Sequence, residues 1–211
     1  MANFYYFPGS CSLASHIALE EAGLDYTPVK VDLYKGEQHG PGYRAINPMG
    51  RVPALETAQG LLTENLAILN HVADRVPERG LLPAWGTIDR VRALEWLSFL
   101  ASIVHPTFRT VTRPERFLSG AESTALGEVR ARGLANLAEI FRLIEQRLEG
   151  RDYALGDAFS LCDAYLLVFA TWARNDATRP ALPPMPRLEA LAKRVESRAA
   201  VQRVRQREAA E

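Results

Sequence analysis

The chain has 211 residues, 47% of them hydrophobic, which is enough for one to two domains with a sizeable core. Lys and Arg together number 25, as do Asp and Glu, so the net charge is zero; nucleic acid and anionic membrane are poor candidates for the main partner, because such binding rests on a basic field. Only Cys11 and Cys162 are present, too few for a disulfide framework or a cysteine metal cluster, and a dithiol redox motif is absent because Ala14 stands three residues after Cys11. The first nineteen residues carry no Lys, Arg, Asp or Glu. A basic n-region is missing, however, and Pro8, Gly9 and Ser10 break the apolar run, which argues against a signal peptide. No apolar stretch approaches the ~20 residues that span a bilayer. A soluble, reduced, cytoplasmic protein is expected.

In chain order, Phe4–Phe7 reads as a strand buried on both faces. Pro8-Gly9 is a turn signal and Ser10 a candidate N-cap, which places Cys11 in the first turn of a helix over Leu13–Ala22. N–H groups there lack intrahelical acceptors and favour a thiolate, so the thiol pKa is expected to fall. The alternative is a small apolar filler, as free cysteines often are. Tyr6 is a candidate donor to a sulfur anion, against the commoner reading of a packed strand tyrosine.

Tyr26–Leu33 reads as a second strand and the opening as a βαβ unit with a parallel pair. A Gly- and Pro-rich loop runs from Gly36 to Gly42, with Lys35 at its start able to pair with a carboxylate. Asn47-Pro48-Met49-Gly50-Arg51-Val52-Pro53 signals a fixed bend. Pro53 is a candidate for a cis bond, although only about 5–6% of X-Pro bonds are cis. Such a bend leaves Val52 a short backbone edge for a peptide ligand. Val52–Glu56 and Leu61–Thr63 flank a hairpin turn at Gln59-Gly60. Thr63-Glu64-Asn65 precedes a helix whose N–H groups suit a carboxylate and whose Glu64 suits an ammonium group. Leu66, Leu69, Ala73 and Val76 share one face of that helix, which stops before Pro77.

Pro77–Gly86 is the linker candidate, and beyond it the pattern is helical. Trp96, Phe99, Leu100 and Ile103 share a face. So do Leu134, Leu137, Phe141, Ile144 and Leu148, and then Leu161, Tyr165, Val168 and Trp172. Ser160-Leu161-Cys162-Asp163 is a capping-box pattern, with Asp in the usual Glu place. Cys162 therefore also sits in a first turn, and its apolar helix marks it as packing. Pro106 disfavours helical geometry at His105 and predicts a kink that aims the ring into a cleft, against the alternative of a packed or surface histidine. The tail from Arg187 holds seven basic and four acidic residues and reads as a solvated helical face.

Four stretches carry a family resemblance: Tyr6 to His16, Asn47 to Leu55, Leu62 to Ile68, and Phe159 to Tyr165. In order, they make the chain resemble glutathione S-transferases, above all the bacterial beta class, which has a cysteine where Cys11 stands. The resemblance covers essentially the whole chain. It implies an α/β plus all-α fold: a thioredoxin-like N-terminal domain over 1–77, a linker over 78–86 and an all-helical C-terminal domain over 87–211. It implies a homodimer with glutathione as co-substrate, a small electrophile as second substrate, and neither a prosthetic group nor a metal. It places glutathione's cysteine backbone on Val52 beside cis-Pro53, its γ-glutamyl group at Glu64 and Asn65, Lys35 near its glycine carboxylate, and His105 at the sulfur, where Cys11 and Tyr6 are the catalytic candidates of the N-terminal turn and strand. Asn65 departs from the Ser common at that place, and the register of Lys35 is open by one residue. The expected activity is conjugation of glutathione to electrophiles together with monothiol disulfide exchange through Cys11. A non-catalytic glutathione-dependent binder of apolar ligands is the alternative, and a partner-binding protein that keeps only the fold a third reading.

Overall fold

The computed structural model describes residues 2–118 and 122–210. The aromatic run forms β1 (Ala2–Tyr6), followed by α1 (Ser12–Ala22) and β2 (Tyr26–Lys30), which pairs in parallel with β1. The second strand stops at Lys30 rather than Leu33, where the chain turns away through Asp32, whose carboxylate accepts from the N–H groups of Tyr34 and Lys35. The expected loop then holds a short helix, α2 (Pro41–Ile46), which starts on a proline whose missing N–H costs nothing at a helix N-terminus. Next come β3 (Ala54–Thr57) and β4 (Gly60–Thr63), forming the expected hairpin, and then α3 (Asn65–Arg75). The sheet order is β2-β1-β3-β4, with β3 antiparallel to both neighbours.

The pleat of β1 decides what each aromatic does. Phe4 and Tyr6 point into the main core with Ile17, Ile68 and Leu69, whereas Tyr5 points the other way to Tyr43, Val52 and Ala54. The strand is thus covered on both faces, as its unbroken apolar character predicts.

The segment after α3 is anchored: Leu81 and Leu82 are buried, and the Leu161 N–H donates to the Leu81 carbonyl at 3.0 Å. The helical part comprises α4 (Ile88–Phe99), α5 (His105–Thr112), α6 (Ser123–Arg147), α7 (Leu161–Ala173), α8 (Pro186–Glu196) and α9 (Ala199–Ala210). Gly133 of α6 lets α5 pass closely, since a Cβ there would lie 2.2 Å from Thr110 Oγ1. The capping box of α7 is present as expected, and buried Asp163 also accepts from the Ala154 N–H at 2.7 Å.

The expected kink takes another form. His105 keeps helical angles (φ −60°, ψ −50°), and the preceding turn, Leu100–Val104, widens into a π-helix. Pro106 removes an N–H from the ladder, and a wider turn accommodates that loss without breaking the helix. The extra residue shifts the apolar stripe, so Ile103 is exposed while Trp96 and Leu100 are buried.

Candidate active site

The turn that carries Cys11 is tied together by serines. Ser10 Oγ accepts from the Ser12 N–H at 3.2 Å, and Ser12 Oγ both donates to the Phe7 carbonyl and accepts from the Phe7 N–H. Cys11 rather than Ser10 is therefore the cap residue, so the cap falls one place later than expected, and the Cys11 carbonyl accepts from the Ala14 N–H at 3.3 Å. Both domains of the fold hold this turn. Trp172 Nε1 of α7 donates to the Gly9 carbonyl at 2.9 Å, and Glu208 of α9 accepts from the Gly9 N–H at 3.3 Å and pairs with buried His16 at 2.8 Å.

Opposite the turn lies the bend before β3. Tyr43 Oη and Asn47 Nδ2 both donate to the Arg51 carbonyl, at 2.7 and 2.8 Å, and fix the peptide entering Val52. Gly50 is required here: its φ is +60° and a Cβ would lie 2.6 Å from the Gln38 carbonyl. The Val52-Pro53 bond is cis. The Val52 carbonyl faces the thiol, and Cys11 Sγ donates to it at 3.6 Å.

Asn65 joins the two sides. It accepts from Ser15 Oγ at 2.6 Å and donates to the Cys11 carbonyl at 3.0 Å, so its side chain is spent on positioning α1 against α3. Glu64 is exposed, with a φ of +67° that L-residues rarely adopt, and its side chain makes no cap bond to α3. Backbone in such a region costs energy and is found most often at binding and active sites. Lys35 is exposed and pairs locally with Asp32 at 3.4 Å; its neighbour Tyr34 stacks edge-on against Phe7, which brings the loop beside the turn of Cys11.

From the helical part, His105 meets the Trp172 ring at 5.2 Å and accepts from Arg109 Nε at 3.3 Å through Nε2. Arg109 was not singled out in the sequence; its signal is the spacing of four from His105 on one helix. Tyr165 is also new to the site: it is buried, and its hydroxyl lies within the influence of the Cys11 charge.

Two expectations need correction. Burial pushes the Cys11 thiol up to about 11, although Arg109 and Asn65 act in the opposite sense. The helix-terminus effect loses because the thiol is enclosed and the turn's own oxygens already take the nearby N–H groups. Tyr6 is fully buried, tilted against the His16 ring at 4.8 Å and stacked on Phe4 at 6.0 Å. The structure places its ring in the core, where the pleat directs it, and not on an open cleft. His105 is held neutral, with its pKa lowered to about 4 by burial and then by Arg109 and Arg51. Cys162, by contrast, is buried against the Ala93 carbonyl at 3.6 Å, with burial raising its thiol well above the ordinary range. Among the described residues no group of three or more His, Cys, Asp or Glu could hold a metal ion.

A cysteine on a strand-to-helix turn, set against a cis-proline bend and next to a helical domain, is thus carried by a thioredoxin-like unit. The sequence profile of the glutathione S-transferase N-terminal domain matches residues 2–74, and that of the C-terminal domain matches residues 127–194. Glutathione S-transferase GstA of Escherichia coli O157:H7 is 39% identical over 171 residues, which is 80% of this chain and 81% of that protein. The solved glutathione S-transferase of a sphingomonad, complexed with glutathione, is 36% identical with a TM-score of 0.83, covering 99% of this chain and 100% of the other. A bacterial beta class enzyme from Sphingomonas chungbukensis is 33% identical with the same TM-score, covering 98% of each chain. The chain belongs to the glutathione S-transferase family.

Proposed function

We propose that this enzyme is a beta class glutathione transferase, acting as a cytoplasmic homodimer, that joins the glutathione thiol to small electrophiles and exchanges disulfides through Cys11. The observation that carries this reading is the 3.6 Å approach of Cys11 Sγ to the Val52 carbonyl, beside a cis Val52-Pro53 bond. A peptide laid along Val52 presents its own thiol to Cys11 and to Arg109. The substrate-holding unit is residues 1–77, linked through 78–86 to the helical unit 87–211. Glu64 takes the glutathione ammonium group, the N-terminus of α3 its γ-glutamyl carboxylate, and Lys35 the glycine carboxylate. Asn65 serves by positioning rather than by direct contact.

In conjugation, the glutathione thiol loses its proton to solvent, Arg109 stabilises the resulting anion, and the sulfur attacks the electrophile. His105, neutral and accepting from Arg109, orients that guanidinium and carries its own proton on Nδ1. In exchange, the Cys11 thiolate attacks the glutathione sulfur of a mixed disulfide and expels the partner thiolate. A second glutathione thiolate then attacks the Cys11 mixed disulfide and leaves as glutathione disulfide, restoring the Cys11 thiolate. Exposed Ile88 and Val91 on α4, three residues apart, support a subunit contact there.

Cys11→Ala tests the division of labour. Disulfide exchange should be abolished, because no other thiol is accessible, while conjugation falls but persists. Complete loss of conjugation with unchanged glutathione affinity would show that Cys11 is needed for both. Saturable glutathione binding with no turnover of any electrophile or mixed disulfide would favour the non-catalytic binder.

A further inference from the structure

Gly9 is the least self-supporting residue of the turn that carries Cys11. Its φ is +71°, and no heavy atom lies within 4 Å of where a Cβ would stand, so neither a side chain nor close packing at that place holds its backbone. Both of its peptide groups are instead held from the helical part. Glu208 of α9 accepts from the Gly9 N–H at 3.3 Å, and Trp172, near the C-terminal end of α7, donates its indole N–H to the Gly9 carbonyl at 2.9 Å. The two anchors differ in what else they touch. Glu208 pairs through its other oxygen with His16, inside the core. The Trp172 ring instead reaches the opposite wall of the site. His105 meets it at 5.2 Å with the rings 69° apart, and Phe108 and Phe169 each pack against it at 5.4 Å. His105 in turn accepts from Arg109 Nε at 3.3 Å. One side chain thus touches both halves of the thiol site, the turn of Cys11 by a hydrogen bond and the His105–Arg109 pair by an edge-on ring contact. The stripe of Leu161, Tyr165, Val168 and Trp172 accounts for an aromatic ring at this place. It does not account for the N–H, which phenylalanine would lack.

We propose that Trp172 is a positioning residue of the reaction: its indole fixes the spacing between the turn of Cys11 and the His105–Arg109 pair, and so holds the guanidinium in register with the sulfur. It acts through Gly9 and His105 and takes no part in bond making. A ring with its polar edge bonded and its apolar edges packed has little freedom left, and misplacing a reacting group by about 1 Å costs up to about 100-fold in rate. The inference rests on the role given to Arg109 under Proposed function and adds the residue that keeps that group in place.

Two replacements remove the donor. Trp172→Phe keeps a ring against His105, Phe108 and Phe169. Replacing the Trp172 side chain with that of β-(3-benzothienyl)alanine puts sulfur where the N–H stands at nearly unchanged shape, which keeps the test decisive if Trp172→Phe folds poorly. Each should lower kcat for conjugation about fivefold, the scale of one net hydrogen bond. The glutathione KM should stay within about twofold, because Val52, Glu64 and α3 are untouched. Iodoacetamide labelling of Cys11 at fixed pH, without glutathione, should slow by a similar factor. In an Arg109→Gln background the same replacements should slow labelling no further, because the effect runs through the guanidinium. A lowered urea midpoint with kcat, KM and labelling unchanged would make Trp172 a packing residue only and overturn the proposal. So would labelling that slows as much in the Arg109→Gln background as without it. If the unaltered protein turns over neither an electrophile nor a mixed disulfide, the transferase reading itself fails, and this role with it.

Discussion

Cys11 and Cys162 differ less in burial than in what lies beside them. Cys11 has Arg109, Asn65 and the Val52 carbonyl beside it, and Cys162 has the Ala93 carbonyl and the core around α7. Iodoacetamide should therefore label Cys11 first in the folded protein, with a rate still rising above pH 9, because its thiol lies near 11. Faster labelling of Cys162, or a plateau already reached below neutral pH, would contradict this assignment. Arg109→Gln should slow labelling at any fixed pH, since the guanidinium is the largest influence favouring the thiolate. His105 gives a second test. Its folded pKa of about 4 lies below the unfolded value of about 6.5, so the neutral ring is the one that stabilises the fold. Its contribution is complete above the unfolded pKa and is lost as pH falls from there through about 4. Ring-proton resonances followed by NMR should show His105 titrating near 4 rather than near neutrality.

At the scale of elements, the start of α7 is the most exposed to a single change. Asp163 is fully buried and accepts from the N–H groups of Ala154 and Ser160 and from Ser160 Oγ. Asp163→Ala removes the cap and leaves buried donors unsatisfied, a loss of about 2–4 kcal/mol that urea unfolding should read directly. This element was legible from four residues in a row. The strand–turn–helix around Cys11 and the hairpin were legible too, because turn residues and strict periods specify them locally. The helix α2 was not: it is short, and Gly40, Pro41 and Gly42 speak for a loop unless Pro41 is taken as a helix start. The π-helical turn before His105 was also hidden. A proline announces that a helix must adjust, and packing of the neighbouring turns decides how.

For the whole molecule, the geometry around the candidate site was legible where it is made of backbone, in the strand–turn–helix at Cys11 and the cis bend at Val52-Pro53. It was misread where side-chain direction depends on pleat or tertiary burial, at Tyr6 and in the titration of Cys11. Arg109 and Tyr165 converge on the sulfur only after the two domains pack, which no local pattern encodes. The turn at Gly9 is held by Trp172 and Glu208 from α7 and α9, so the site is complete only in the assembled chain. At the level of assembly, exposed Ile88 and Val91 should be covered in a dimer. Light scattering should give twice the chain mass at micromolar concentration, and Val91→Glu should shift it towards the monomer. A monomer mass for the unaltered protein would remove the dimer from the account.

The central claim, that glutathione lies along Val52 with its thiol ionised beside Arg109, is tested most directly by calorimetric titration of glutathione in two buffers of different ionisation enthalpy at neutral pH. The account predicts saturable binding of one glutathione per chain with net release of protons as the thiol ionises. No saturable binding at millimolar glutathione, or binding with no proton released, would contradict it.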